Sequence, residues 1–197
     1  MDRDPPPRRA LCAHCQRPLR TCLCRWIAPT ANDVPLLVLQ HPLEQGHAKG
    51  SLPLLRLSLA HCRVEIGEVF SADQQALWQQ PGTCLLYPSD AKNDASSEAS
   101  LPASGAVRQL VLLDGTWRKT RKLLHLNPLL QELPRYALCA LPPSRYGHRK
   151  AQQPDQRSTL EAACLALGAL EQRPLHYAPL LQAFSHWVEE QTLFKPS

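Results

Sequence analysis

From residue 34 onward, short apolar runs such as Leu110 to Leu113 alternate with stretches of helical character, the signature of an α/β domain built on a mostly parallel sheet flanked by helices. The expected strands are 35–40, 63–70, 83–87, 108–113 and 136–141. The expected helices are 52–60, 117–126, 159–171 and 179–191, and the last two carry apolar residues at three and four residue spacing and close the C-terminal side. Residues 89–106 are rich in Ser, Ala and Asp with almost nothing to bury, so they read as a mobile surface loop rather than a domain boundary. A chain of 197 residues supports one main core with a small appendage. The division falls between 1–30, a Cys-rich segment, and 31–197.

The appendage holds Cys12-x-x-Cys15 and Cys22-x-Cys24 on either side of a turn-prone stretch containing Pro18. The opening MDRDPPPRRA lacks the apolar centre of a signal peptide, and no run approaches the roughly 18 apolar residues of a membrane span. A cytoplasmic protein with no membrane partner is therefore expected, and in that compartment thiols stay reduced. Four thiolates satisfy one tetrahedral zinc and leave no open position, so Cys12, Cys15, Cys22 and Cys24 predict a structural Zn2+. The competing readings are unligated surface thiols and a redox pair. Arg17, Arg20 and Arg25 interleave with the cysteines and suit either phosphate contact or simple solubility. Cys62, Cys84, Cys139 and Cys164 lie in or beside apolar runs and read as small core residues.

Open parallel sheets place ligands beyond the carboxyl ends of their strands, so the residues just after each strand carry the chemistry. Three segments stand there: His41 to Gly50, Asp114-Gly115-Thr116-Trp117, and Pro142 to Lys150 continuing to Glu161. Asp114 is fixed by a strand end and followed by a glycine that admits a ligand, although Asp114 or Thr116 serves equally as a helix N-cap. Trp117 either packs under the sheet or offers a face to a base. Arg118, Lys119, Arg121 and Lys122 follow on one helix, and Arg135, Arg145, His148, Arg149, Lys150 and Arg157 gather around the third segment. With a formal net charge of +5, this clustering favours RNA or nucleotide as partner over a merely solvated face. Tyr146 adds a second aromatic surface, and Ser158-x-x-Glu161 fits a capping box. The motifs of dinucleotide, nucleoside triphosphate and esterase chemistry do not occur.

These residues together resemble the DTW-domain family, named for its Asp, Thr and Trp. The ordered set is the Cys-rich knuckle, the His-Pro-x-Glu loop at His41 to Glu44, Asp114 to Trp117, and Ser-Thr-Leu-Glu-Ala at Ser158 to Ala162. One departure is Lys49-Gly50-Ser51, where the family pattern has an Asn-Thr-Gly-like run. The resemblance implies a SPOUT-like fold with a C-terminal trefoil knot. It also implies transfer of the 3-amino-3-carboxypropyl group of S-adenosylmethionine to N3 of a tRNA uridine. Asp114, Thr116 and Trp117 would then be catalytic. Leu113, Gly115, Ser144, Tyr146, Arg149, Ser158, Thr159 and Glu161 would hold the cofactor. His41, Glu44, Lys49, Arg118, Arg121, Lys122, Arg145 and Lys150 would hold tRNA.

The chemistry needs no acid, because a sulfonium leaves as a neutral thioether. It needs alignment and loss of the N3 proton, and a carboxylate, a feeble base toward that nitrogen, serves chiefly through a positioned hydrogen bond. Thr116 would orient Asp114 or the base. The cofactor carboxylate wants a cation or free amides, which Arg149 or the helix start near Ser158 supplies. Two further readings stay open: an RNA methyltransferase of the same fold, and a zinc-knuckle RNA-binding module without catalysis.

Overall fold

The computed structural model describes residues 10–47, 50–88, 106–138 and 157–193. Lys49, Ser144, Arg145, Tyr146, Arg149 and Lys150, the stretch 89–105 of the expected surface loop, and residues 139–156 lie outside the described residues.

Among the described residues, five strands form one sheet in the order β2-β1-β4-β3-β5, and every neighbouring pair is parallel. They are β1 (Leu36–Gln40), β2 (Cys62–Ile66), β3 (Thr83–Leu86), β4 (Gln109–Asp114) and β5 (Arg135–Tyr136). The helices are α1 (Leu52–Ser58), α2 (Ala72–Gln75), α3 (Trp117–Leu126), α4 (Thr159–Leu170) and α5 (Ala178–Leu193). The uninterrupted apolar runs of β1 and β4 are explained by burial on both faces. Leu36, Val38, Leu110 and Leu112 join α1, α4 and α5 in one core. The alternate positions Leu37, Leu39, Val111 and Leu113 join Phe70, Trp78 and Leu123 of α3 in the other. The sheet is therefore the middle of three layers, and Leu113, expected beside the cofactor, packs its side chain into the α3 core.

Three elements differ from expectation. The second strand ends at Ile66 instead of Phe70, because Gly67 N donates to Gln40 O at 3.1 Å, where β1 itself ends. Beyond it, Ser71 accepts from Gln74 N while Gln74 reaches back to Ser71 N, and this capping box starts the short α2, which periodicity did not predict. The fifth strand is placed at Arg135–Tyr136, one residue earlier than expected.

The N-terminal segment packs against the main core. Leu23 is fully buried in the core shared with α4 and α5, with Trp26, Ile27 and Ala28 packed against it. Trp26 Nε1 donates to Glu190 of α5 at 3.2 Å, Arg25 pairs with the same carboxylate, and the Arg17 guanidinium lies 5.8 Å from the Trp187 ring centre. Among the described residues, no helix is long and apolar enough to cross a membrane.

Candidate active site

Asp114 is the last residue of the central strand, in register with Gln40 at the end of β1. Its backbone oxygen accepts from His41 N at 3.0 Å. Gln40 Nε2 donates to Oδ2 at 2.8 Å, and Thr159 Oγ1, at the start of α4, donates to Oδ1. Both carboxylate oxygens are thus held by neutral donors from two different elements, which suits an ionised acceptor and fixes its plane. The N-cap reading of Asp114 does not hold: Thr116 takes the N-cap position of α3, and its side chain makes no capping bond. Gly115 is needed here for space, since a Cβ would lie 3.1 Å from Lys119 Cβ and 3.6 Å from His41 Cβ.

The His41 loop is tied down by charge. His41 is buried; its Nδ1 accepts from Leu43 N at 3.2 Å, and its Nε2 meets Glu68 Oε1 at 2.8 Å. With both nitrogens engaged, the imidazole braces the loop. Glu68 also holds Lys122 at 2.5 Å, and Glu44 holds Lys119 at 2.6 Å. The bond from Lys122 is the main reason the Glu68 carboxyl lies below the usual carboxylate range. The expected cation run on α3 therefore divides, with Lys119 and Lys122 paired while Arg118 and Arg121 stand exposed.

The start of α4 completes the edge. Ser158 and Glu161 form the expected capping box, Ser158 N donating to Glu161 Oε2 at 2.9 Å and Glu161 N to Ser158 Oγ at 3.2 Å. Leu160 N points to Ser51 Oγ at 3.4 Å, and Thr159 reaches Asp114, so the start of α4 meets both the end of the first loop and the Asp114 turn. Trp117 is 48% exposed and meets Tyr87 edge to face, ring centres 5.8 Å apart.

At the other end of the molecule the four expected thiols come together, with all Sγ atoms within 4.8 Å of one another. Cys12 lies 3.6 Å from Cys24 and Cys15 lies 3.7 Å from Cys22. Ligands at the zinc–sulfur distance of about 2.3 Å sit about 3.8 Å apart in a tetrahedron, so the cluster has the size that zinc requires. The backbone amides of Cys15 and His14 lower the Cys12 thiol to about 6, whereas burial and the neighbouring thiols push Cys24 up to about 12 and the Cys22 thiol is also raised.

A family model described as DTW domain matches residues 9–192. The chain belongs to the DTW domain family. It is 34% identical over 180 residues to tRNA-uridine aminocarboxypropyltransferase 2 of Drosophila melanogaster, covering 87% of this chain and 70% of the relative. It is 32% identical to the Mus musculus protein of the same name, covering 83% of this chain and 57% of that one. A 25% identity links it to tRNA-uridine aminocarboxypropyltransferase A of Arabidopsis thaliana, over 62% of this chain and 53% of the relative. The chain thus spans little more than half the length of the mouse and plant relatives. No solved structure matches it.

The DTW motif therefore occupies the carboxyl end of the central strand, with its Asp inward, its Thr at a helix cap and its Trp outward. Sequence reasoning missed Gln40, Glu68 and Tyr87. Gln40 had a signal, a polar residue ending an apolar run; Glu68 was hidden inside a strand drawn too long. Thr159, expected at the cofactor, donates its hydroxyl to Asp114.

Proposed function

We propose that this DTW domain protein transfers the 3-amino-3-carboxypropyl group of S-adenosylmethionine to N3 of a uridine in tRNA, and that Asp114, Thr116 and Trp117 carry the reaction. The observation that supports this most is the Asp114 carboxylate, gripped through both oxygens at a strand end, in a chain 34% identical to a protein named for that transfer. S-adenosylmethionine, when bound, supplies a carbon activated by its sulfonium. Asp114 accepts the hydrogen bond of the uridine N3–H and aligns the base while the N3 proton is lost to solvent, and Gln40 and Thr159 keep the carboxylate from turning away. Thr116, free of a capping bond, orients the base.

The capping box and Ser51 engage the amides of Ser158, Leu160 and Glu161, so the amino-acid carboxylate of the cofactor would be met by Arg149 or by the remaining amide at the helix start, that of Thr159. Arg118 and Arg121 supply exposed charge for the tRNA backbone. Replacing either arginine by alanine should make the salt slope of tRNA binding shallower by about one.

The thiol geometry supports a structural zinc in segment 1–30, serving a catalytic unit that spans 31–197. A SPOUT-like fold with a trefoil knot at the C-terminal side, and a cytoplasmic location, complete this reading. The all-parallel sheet supports the former. A cofactor-bound crystal structure tracing 139–156 would test the knot.

Mass spectrometry of nucleosides from unmodified tRNA, after incubation with the protein and S-adenosylmethionine, tests the function. A uridine heavier by the aminocarboxypropyl group, lost with Asp114→Ala, is expected. A methyl-sized gain, or no product despite tight tRNA binding, would overturn the reading.

A further inference from the structure

Trp78 and Trp187 are almost completely buried, at 0% and 2% exposure, whereas Trp117 leaves about half its surface in solvent. An indole exposed next to a reactive carboxylate is a surface awaiting a planar partner. Its setting points to what that partner is. Tyr87, directly after β3, meets Trp117 at 76° with ring centres 5.8 Å apart. The Arg135 guanidinium from β5 lies 5.3 Å from the centre of the Tyr87 ring and is anchored by an Nη1–H bond to Pro88 O at 3.1 Å. Three planar groups thus neighbour one another in turn, Trp117 just after β4, Tyr87 just after β3 and Arg135 from the start of β5. The exposed cations Arg118 and Arg121 follow Trp117 on α3.

We infer that Tyr87, Trp117 and Arg135 form a stacking platform for one unpaired nucleobase of the RNA substrate. The inference rests on the proposed function for the identity of that RNA, but the chemistry of the row stands on its own. Aromatic faces take any base, because every base offers a π-face, and the guanidinium both stiffens Tyr87 and adds a cation. A protein partner would want a continuous apolar patch. Here the aromatic rings are bordered by arginines, and the charge complements a polyanion. Trp117 lies three residues from Asp114, so a base held on the platform is kept beside the reacting edge.

The test measures binding separately from transfer. Affinity for an unmodified tRNA transcript is followed by fluorescence anisotropy over a salt series for the parent protein, Tyr87→Ala, Tyr87→Phe and Arg135→Ala. Tyr87→Ala should weaken binding by about tenfold, and Tyr87→Phe, which keeps the ring, should restore it. The slope of log affinity against log salt should stay at the parental value for Tyr87→Ala, because stacking releases no counterions, and become shallower for Arg135→Ala. Should Tyr87→Ala fail to fold, the same point is read from tryptophan emission. A uridine hexanucleotide should quench the parent protein but not Trp117→Phe. Undiminished tRNA affinity in a folded Tyr87→Ala, or equal quenching with and without Trp117, overturns the platform. So does a change of Tyr87→Ala in sedimentation alone, which would assign the patch to a second copy of the chain. A parent protein that shows the stacking signature yet makes no aminocarboxypropyl-uridine leaves the platform standing and overturns the transferase reading.

Discussion

The Asp114 edge and the cysteine cluster hold their functional atoms in place by different means. Asp114 is fixed by topology: it ends the central strand of a sheet buried on both faces, and its oxygens are gripped from β1 and α4. The four thiols sit on short turns joined by a few backbone bonds, such as the Leu11–Pro18 bridge, and by contacts between the sulfurs, with Leu23 as the segment's fully buried anchor in the main core. A site built by register keeps its geometry without a ligand, whereas a thiolate cluster needs a metal to offset the mutual repulsion of its charges. The first arrangement suits chemistry. The second suits holding a segment against α5.

The largest expected effect tests the chemical end of this contrast. Asp114→Asn should lower the rate of product formation by about 10²- to 10⁴-fold, measured by nucleoside mass spectrometry, with the thermal midpoint close to that of the parent. A large loss of stability instead would mean that Asp114 holds the fold rather than the substrate. Next comes Leu23→Ala, which should cost about 3 kcal/mol in urea unfolding, because it opens a cavity where the knuckle enters the core. A cost near zero would show the segment to be only loosely attached. Removal of metal by a chelator should have a smaller effect. It should lower the thermal midpoint and shift the emission of Trp26 and Trp187, which border the knuckle, while leaving the transfer rate per folded molecule unchanged. Loss of transfer at constant fold would break the comparison outright. The smallest effect concerns Glu68. Its carboxyl is depressed by Lys122, then by His41, so its contribution is present above the ordinary Glu value of about 4.3 and is lost as pH falls below it. Acid unfolding curves of Lys122→Met should show a weaker dependence in that range than the parent.

The sheet was legible because β1 and β4 are apolar at every position between their ends, which only double-sided burial explains. What the sequence hid is contact between distant residues. Nothing local announces that Gln40 lies opposite Asp114, since that pairing exists only once β1 and β4 are in register. The stretch Arg63 to Phe70 reads as one strand on propensity, but strand length is set by the neighbour, and β1 stops at Gln40. Asp114 and the cysteines could be found because their signals are local: a carboxylate between an apolar run and a glycine, and thiols at ligand spacing. His41 shows the reverse, for a histidine at a strand end suggests a substrate contact, and only the packed structure reveals both its nitrogens to be occupied. The pairing of Lys119 and Lys122 with Glu44 and Glu68 was hidden for the same reason.

The bond from Thr159 to Asp114 joins residues 45 positions apart and has a consequence for the order in which the molecule is made. During synthesis, β1 and β4 emerge early and can pair, bringing Gln40 to one oxygen of the carboxylate while the other still faces water. The second hold arrives only when α4 has left the ribosome and seated its capped end on the sheet. A nascent chain therefore carries its reactive group for many residues without the constraint that makes it useful. Docking of the late helix becomes the step that switches a half-built domain into a competent one.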